Sequence, residues 1–356
     1  MSVELSLPPE TRLLIVTVNY RTAHLVIENL RSLAREIPHL PPTKVAIVDN
    51  DSGDGSVEKI GAAIAAEGWG DWATLMPSSV NGGFSYGNNY AIRPALRSPN
   101  PPDYYLLLNP DAQVRPGALQ ALIDFMDKHS KVGIAGSSFE KEDGGLWPYA
   151  FKFPNILGEF ERGFRLGIVS KLLAPWRVVQ IMDQTKEQPI DWLPGASLII
   201  RREVFDSVGL MDEGYFLYYE ETDFCLQTKR QGWEIWYVPQ SRVMHILGQS
   251  TGVTAINQRP KRLPQYWHDS RRRYFLKNHG WFYAAIADAS WVLGFGLWRV
   301  RRILQRKPDN DPPKLLRDSI QNSVVFHPDI PAQTLPDPTP RPSGDRPPTP
   351  ATQTAN

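Results

Sequence analysis

Apolar and polar residues along this chain switch between two periods, and the switches mark its elements. Leu13-Leu14-Ile15-Val16-Thr17-Val18 is a continuous β-prone run, the pattern of a strand covered on both faces. A helical stretch follows, with Leu25, Ile27, Leu30 and Leu33 at mixed helical spacings. Lys44-Val45-Ala46-Ile47-Val48 predicts a second buried strand, and a helix runs from Val57 to Ala66. Tyr104-Tyr105-Leu106-Leu107-Leu108 predicts a further strand. A helix after Pro116-Gly117 carries Leu119, Leu122, Ile123 and Met126, and Val132 to Gly136 predicts another strand. Strand and helix alternating at this spacing predict an α/β fold with a mostly parallel sheet and right-handed crossovers.

The second half is less regular. Residues 140–190 are rich in aromatics, Gly and Pro and read as irregular chain with short helices. Ala196 to Ile200 predicts a strand, Arg202 to Val208 a helix, Glu220 to Gln231 a helix and Glu234 to Val238 a strand. Residues 264–306 read as helical, and within them Phe282 to Val300 is strongly apolar. Arg271-Arg272-Arg273 precede that run; Arg299, Arg301, Arg302, Arg306 and Lys307 follow it. Such a segment fits either an interfacial helix at a membrane or a helix packed on the rest of the chain. The prolines crowd the end of the chain, and a segment that polar cannot offset its ordering entropy. The expected organisation is a catalytic domain over 1–255, a helical extension over 256–325 and a disordered Pro-rich tail over 326–356.

Composition narrows the function classes. With 39 Lys+Arg against 38 Asp+Glu the chain has no overall field for nucleic acid, so no nucleic-acid partner is expected. The single cysteine, Cys225, rules out an intramolecular disulfide or a cysteine metal cluster and fits a reducing compartment. The opening MSVELSLPPETR lacks a signal-peptide pattern, and no apolar run reaches the roughly 20 residues a spanning helix needs. A cytoplasmic protein is expected.

Three polar clusters directly follow predicted strands: Asn19-Tyr20, Asp49-Asn50-Asp51-Ser52 and Asn109-Pro110-Asp111. Each alone reads as an ordinary turn. Three at successive strand ends point to one crevice, because open α/β sheets bind ligands there. Asn81-Gly82-Gly83-Phe84-Ser85-Tyr86-Gly87-Asn88-Asn89 is a glycine-rich entry to a helix that lets backbone approach a phosphate group. Asp111 suits a hard divalent cation that completes its shell with phosphates and water. Tyr218-Tyr219-Glu220-Glu221-Thr222-Asp223 places three carboxylates in the first turn of a helix. That pattern complements the macrodipole, and it also supplies candidates for proton abstraction. On a helix Glu220 and Asp223 share a face and Glu221 points elsewhere. His245 falls just past the strand expected at Glu234 to Val238.

These stretches, in this order, identify a likeness. The chain resembles the large family 2 of inverting nucleotide-sugar glycosyltransferases, especially its bacterial rhamnosyltransferase-like branch. The likeness runs over roughly residues 11–255. It rests on Val16 to Tyr20, Val48 to Gly55, Asn81 to Asn89, Leu108 to Ala112, Asp191-Trp192-Leu193-Pro194-Gly195-Ala196 and Phe216 to Asp223.

The resemblance implies a GT-A-type fold, one doubly wound sheet with the donor site at its strand ends. It implies Asn19 and Tyr20 at the nucleotide pocket, Asp49 on the base, and Asn81 with Gly82, Gly83 and Asn88 near the ribose and diphosphate. It further implies Mg²⁺ or Mn²⁺ on Asp111, with His245 at the position of a second metal ligand. The family's Asp-x-Asp motif begins here with Asn109, whose weaker amide oxygen suits a sugar or ribose contact. The family base is an Asp in a Glu-Asp pair; Glu221 stands in its place, with Glu220 and Asp223 as alternatives. Trp192 and Gly195 would line the acceptor site, although a Trp there also reads as core. The implied donor is a nucleoside-diphosphate sugar, dTDP-rhamnose favoured. The implied acceptor is a glycan or lipid-linked glycan at the inner face of the plasma membrane, and the resemblance leaves room for a homo-oligomer.

Three other readings have sequence tests. A sugar nucleotidyltransferase needs a glycine-rich basic loop after the first strand, which Asn19-Tyr20-Arg21-Thr22 does not supply. A nicotinamide-dependent oxidoreductase needs a GxGxxG fingerprint, which is absent. A glycan- or nucleotide-sugar-binding protein without turnover draws on Asn109 and Glu221, the two departures from the family pattern.

Overall fold

Consecutive apolar residues in a strand need cover on both faces, and the computed structural model supplies two such layers. It describes residues 5, 7–141, 144–245 and 260–333. In chain order the elements are β1 (Leu13–Asn19), α1 (Ala23–Glu36), β2 (Thr43–Asn50), α2 (Ser56–Ala66), β3 (Ala73–Ser78), α3 (Gly83–Leu96), β4 (Tyr104–Leu108), β5 (Ala112–Val114), α4 (Ala118–Lys128) and β6 (Val132–Glu140). Then come β7 (Tyr149–Phe151), α5 (Ile156–Phe164), α6 (Gly167–Leu172), β8 (Val179–Ile181), β9 (Gln188–Pro189), β10 (Ser197–Arg201), α7 (Arg202–Val208), α8 (Glu220–Arg230), β11 (Glu234–His245), α9 (Gln265–Leu304) and α10 (Leu315–Gln321). Leu13 and Ile15 of β1 with Val45 and Ile47 of β2 meet Val26, Leu30 and Leu33 of α1 on one face. Leu14, Val16, Ala46 and Val48 meet Ala91, Ile92 and Ala95 of α3 on the other.

The main sheet runs β3-β2-β1-β4-β10-β6-β11-β5, with β9 paired to β11. Strands β3, β2, β1 and β4 are parallel, as are β6 and β11. Strand β10 runs antiparallel between β4 and β6, against the direction expected from simple alternation. It starts at the carboxyl edge of the sheet, where Ser197 pairs with Leu108, so no crossover helix precedes it. The arrangement is the mixed, mostly parallel sheet of a GT-A fold.

Several strands escaped the periodicity, and β7, β8 and β9 lie in the stretch read as irregular chain with short helices. β3 is an edge strand whose Pro77 weakens the pattern, and an edge tolerates proline. β5 is only three residues long. β11 does not stop at Val238 but shifts register between Val238 and Arg242 and continues to His245. Pro239 sits within that shift, and an irregular register accommodates a residue that lacks an N–H.

Helix α9 turns sharply at Gly280, whose φ of 77° is left-handed. Its second half packs on α5 at backbone distance. A Cβ on Gly163 would stand 2.7 Å from the Trp291 carbonyl oxygen, and one on Gly294 would stand 2.6 Å from that of Phe160. The seam also buries ions. Glu159 accepts from Arg162 and Arg271, Arg271 also binds Asp288, and Asp288 accepts the Val324 N–H at 2.8 Å. Burial alone would push the Glu159 carboxyl up; the charges of Arg162 and Arg271 hold it below its ordinary value. Arg272 pairs with Asp269 and Arg273 with Asp212, so the basic triplet before the apolar run faces inward. The boundary expected at 255 and most of the expected Pro-rich tail, residues 334–356, lie outside the described residues.

Candidate active site at the strand ends

The first two strand ends are latched together. Asn19 Nδ2 donates to Asp49 Oδ2 at 2.6 Å and to Ser52 Oγ at 3.1 Å, while its Oδ1 accepts from the Thr22 N–H and hydroxyl. Asp49 also accepts from the N–H and hydroxyl of Ser52. Asn19 and Asp49 are buried, and the Asp49 oxygens are occupied by the chain itself. Tyr20 stays half-buried beside them, with the Arg21 guanidinium 5.2 Å from its ring centre.

Asn50 is different. Alternation along β2 turns it to the α3 face, away from Asp49. Its Nδ2 donates to the Gly83 carbonyl at 2.8 Å, and its buried Oδ1 accepts from no group among the described residues. A buried acceptor left without a partner calls for one, from water, an ion or a ligand. Sequence reasoning placed Asn50 in the cluster without separating it from Asp49; strand parity was the signal available.

The glycine-rich turn is built for close approach. Asn81 Oδ1 accepts the Gly83 N–H at 3.2 Å, and Gly83 has a left-handed φ of 81°. A Cβ there would stand 1.9 Å from the Phe216 carbonyl oxygen, which accepts the Phe84 N–H at 2.9 Å. The turn is therefore clamped to the segment that leads into the carboxylates. Gly82 offers its carbonyl to Gln333 from the C-terminal segment. Asn88 is buried inside α3, where its amide donates to the Phe84 carbonyl.

The Asn109-Pro110-Asp111 loop is pinned from behind by Asn29, a buried α1 residue that sequence reasoning missed. Its Nδ2 donates to the carbonyls of Asn109 at 3.2 Å and Ala112 at 2.6 Å. Asn109 itself is half-buried, and its N–H donates to Ala196. The antiparallel pairing of β5 with β11 sets His245 opposite Ala112. That brings His245 Nε2 to 3.4 Å from Asp111 Oδ1, an oxygen with no hydrogen bond among the described residues. A buried carboxylate and imidazole converging on one point, with one oxygen unfilled, fit a divalent cation. No group of three His, Cys, Asp or Glu side chains suited to a metal occurs among the described residues, so further ligands would come from substrate oxygens and water.

The carboxylate helix begins under strain. Tyr218 and Tyr219 both have left-handed φ, 71° and 68°. Such outliers persist where packing over-determines them. Here Tyr218 stacks on Tyr266, and Tyr219 packs on Trp267 and Tyr274, all from α9. Glu220 and Glu221 each keep a buried Oε2 without a hydrogen-bond partner among the described residues. Burial pushes the Glu220 carboxyl well above its ordinary value, and the charge of Glu221 pushes it further. Burial also raises Glu221, with the N–H groups of Glu221 and Gly195 opposing. Asp223 holds the helix instead. It accepts from Lys277 and Asn278 of α9, each at 2.6 Å.

Gly195 joins the parts. A Cβ on it would lie 3.8 Å from that of Glu221 and 3.0 Å from the Phe84 ring. Trp192, just before it, stacks on Phe151 at 4.5 Å and donates its indole N–H to the Lys152 carbonyl. One ring face is thus covered, and the side chain is half-buried against the core.

Known proteins show which family the chain is similar to. The model described as glycosyl transferase family 2 matches residues 13–206, more than half of the chain. That stretch holds the strand-end clusters and Gly195; Glu220, Glu221 and His245 lie beyond it. An N-acetylglucosaminyl-diphospho-decaprenol L-rhamnosyltransferase of Mycobacterium tuberculosis is 29% identical over 221 residues, 59% of this chain and 69% of that one. The rhamnosyltransferase WbbL of Escherichia coli is 28% identical over 202 residues, 56% of this chain and 66% of that one. Among solved structures, GalNAc-T7 with UDP, GalNAc and Mn²⁺ superposes with a TM-score of 0.56 at 14% identity, over 89% of this chain and 58% of that one. A mannosyltransferase from Pyrobaculum calidifontis with GDP-Man and Mn²⁺ gives 0.50 at 15%, over 91% and 84%. At such identities these two bear on the fold. The chain belongs to glycosyl transferase family 2: it is a glycosyltransferase of GT-A fold, similar to bacterial rhamnosyltransferases.

Proposed function

We propose that this enzyme transfers rhamnose, with inversion, from dTDP-rhamnose to a lipid-linked glycan in cell-surface polysaccharide synthesis. The observation that carries the reading is the joining of two unfilled carboxylate sites by one short segment. Ala196 accepts the N–H of the Asp111 loop, and the neighbouring Gly195 lies against Glu221. The rhamnosyltransferase relatives support the sugar, and the decaprenol-linked substrate in the name of one of them supports the acceptor class.

In this reading the nucleotide lies over the latched strand ends. Asn50 Oδ1 accepts from an N–H of the base, in place of the fully bonded Asp49. Tyr20 flanks the base, and the Asn81-Gly82-Gly83 turn lets backbone approach the ribose and diphosphate. Asp111 and His245 hold Mg²⁺ or Mn²⁺. That cation supplies Lewis-acid stabilisation of the charge gathering on the diphosphate. Glu221 removes the acceptor hydroxyl proton as the oxygen bonds to the anomeric carbon. The anomeric carbon–diphosphate oxygen bond breaks, and nucleoside diphosphate departs with the pair. A buried carboxyl with a raised pKa is a stronger base once ionised. Gly195 and Trp192 border the acceptor, and residues 1–255 together with the first half of α9, up to Gly280, form the working unit.

The test is nucleoside diphosphate release from dTDP-, UDP- and GDP-sugars, with a lipid-linked acceptor and with Mg²⁺, Mn²⁺ or EDTA. Release with dTDP-rhamnose, lost in EDTA and in Asp111→Ala, is the expected result. Tight donor binding with no turnover across acceptors would overturn it in favour of a binding protein.

A further inference from the structure

The second half of α9 presents two faces. Ala284, Ala287, Trp291, Gly294 and Phe295 are buried, the last three against Gly163 of α5 and the first two against Tyr274 and Val324. Phe282, Ile286, Leu293, Leu297, Val300 and Leu304 stand exposed, Phe282 at 80% and Leu304 at 78%. Their spacing is helical, so they form one stripe about 33 Å long, at 1.5 Å per residue. The stripe continues onto the following segment. Trp281 donates its indole N–H to the Val324 carbonyl, which sets the exposed Val325 and Phe326 beside the start of the stripe.

Charge selects what covers it. Between 281 and 307 the single acid is Asp288, which is buried and bonded to Arg271 and the Val324 N–H. At the far end Arg299 and Arg302 pair with Asp309 and Arg301 donates to the Phe164 and Arg165 carbonyls, which leaves Arg306 and Lys307 as the exposed cations. Against a second copy of this helix, Arg306 and Lys307 would meet no exposed acid, because Asp269 and Asp288 of its α9 are buried. Against an anionic bilayer they meet phosphate headgroups while the apolar stripe enters the acyl boundary. No helix among the described residues is long and apolar enough to cross a membrane, so this contact is interfacial.

We propose that the Phe282–Leu304 stripe of α9, extended by Val325 and Phe326, seats the enzyme on an anionic lipid surface. The first half of the same helix braces Tyr218 and Tyr219 beside Glu221. Seating α9 therefore fixes the carboxylate site relative to the plane in which a lipid-linked glycan is anchored. The proposal deepens the lipid-linked acceptor reading and rests on it for the choice of a bilayer.

The test floats full-length protein with phosphatidylcholine vesicles, with and without phosphatidylglycerol, at low and high salt. Donor turnover on a soluble acceptor and sedimentation velocity are measured alongside. Wild type should float with the anionic vesicles, more weakly at high salt. A triple Phe282→Ser, Ile286→Ser, Leu293→Ser variant should lose on the order of tenfold or more of the bound fraction. Its turnover on the soluble acceptor should be unchanged, which shows that it is folded. Arg306→Gln with Lys307→Gln should weaken flotation only where phosphatidylglycerol is present. Wild type that does not float, or a triple variant that floats equally, overturns the proposal. So does a wild-type dimer that the triple variant converts to monomer, which assigns the stripe to a second copy. Flotation without turnover on any acceptor faults the reaction and leaves the surface standing; turnover without flotation does the reverse.

Discussion

His245 Nε2 stands 3.4 Å from Asp111 Oδ1, although Asp111 lies in the loop before β5 and His245 ends β11, and the two meet through the short β5–β11 pairing. Neither side chain is more than slightly exposed, and the Asp111 oxygen has no hydrogen bond among the described residues. As the proposed cation site, this pair should govern metal dependence. Asp111→Asn should lower turnover by about two to three orders of magnitude. His245→Ala should raise the cation concentration for half-maximal rate by at least about tenfold. EDTA should abolish activity and added Mn²⁺ restore it. A metal titration of nucleoside diphosphate release checks all three.

Glu221 must be ionised to act as the base, so kcat/KM should rise with pH through its carboxyl pKa. Burial has raised that pKa, so the acid limb should lie above the 4.5 of an ordinary glutamate. Glu221→Gln should cost about 10²–10⁴ in kcat, with donor affinity kept. A pH profile of both proteins is the measurement, and an unchanged acid limb in the variant would move the base elsewhere.

Glu220 is a liability for stability. Its folded pKa lies well above 4.5, so the native state holds a proton that the unfolded state has released. Its contribution to stability is therefore complete below pH 4.5 and declines as pH rises toward the raised folded value. Glu220→Gln should raise the melting temperature at neutral and higher pH, and the gain should vanish near pH 4. Thermal melts across pH give the sign directly.

Lys277 neutralises the buried Asp223 at 2.6 Å, with Asn278 as the second partner. Lys277→Met should destabilise by about 1–3 kcal/mol, because a buried carboxylate loses its charge partner but keeps the hydrogen bonds from Asn278 and Gln227. Urea unfolding measures this. The loss should be accompanied by slower turnover, since α8 carries both Asp223 and Glu221.

Gly83 combines a φ of 81° with a would-be Cβ 1.9 Å from the Phe216 carbonyl oxygen. Relief requires backbone to move. Gly83→Ala should destabilise by more than about 2 kcal/mol and impair donor binding together, as read by thermal melting and nucleotide titration.

Much of this architecture is legible in the residue pattern. β1, β2 and β4 announce themselves because a strand covered on both faces must be apolar at every position. The strand-end clusters and the acidic start of α8 are equally visible, and with the family resemblance they located the crevice. Periodicity cannot say which polar group meets which. Asn19 and Asp49 looked like ligand residues, yet they bond to each other and to Ser52 and leave Asn50 unfilled. The helical turn offered Glu221 as base with Glu220 and Asp223 as alternatives; α9 gives Asp223 a lysine, and burial leaves Glu220 and Glu221 desolvated. Arg271, Arg272 and Arg273 show in the sequence only as a basic triplet before the apolar run, and the fold pairs each with an acid.

Face burial, then, was determined by the sequence alone, because one face needs only neighbouring positions to define it. The direction of β10, the meeting of His245 with Asp111 and the separate fates of the α8 carboxylates were decided by tertiary structure. Each depends on groups brought within hydrogen-bond reach, or out of water, by segments distant in the chain.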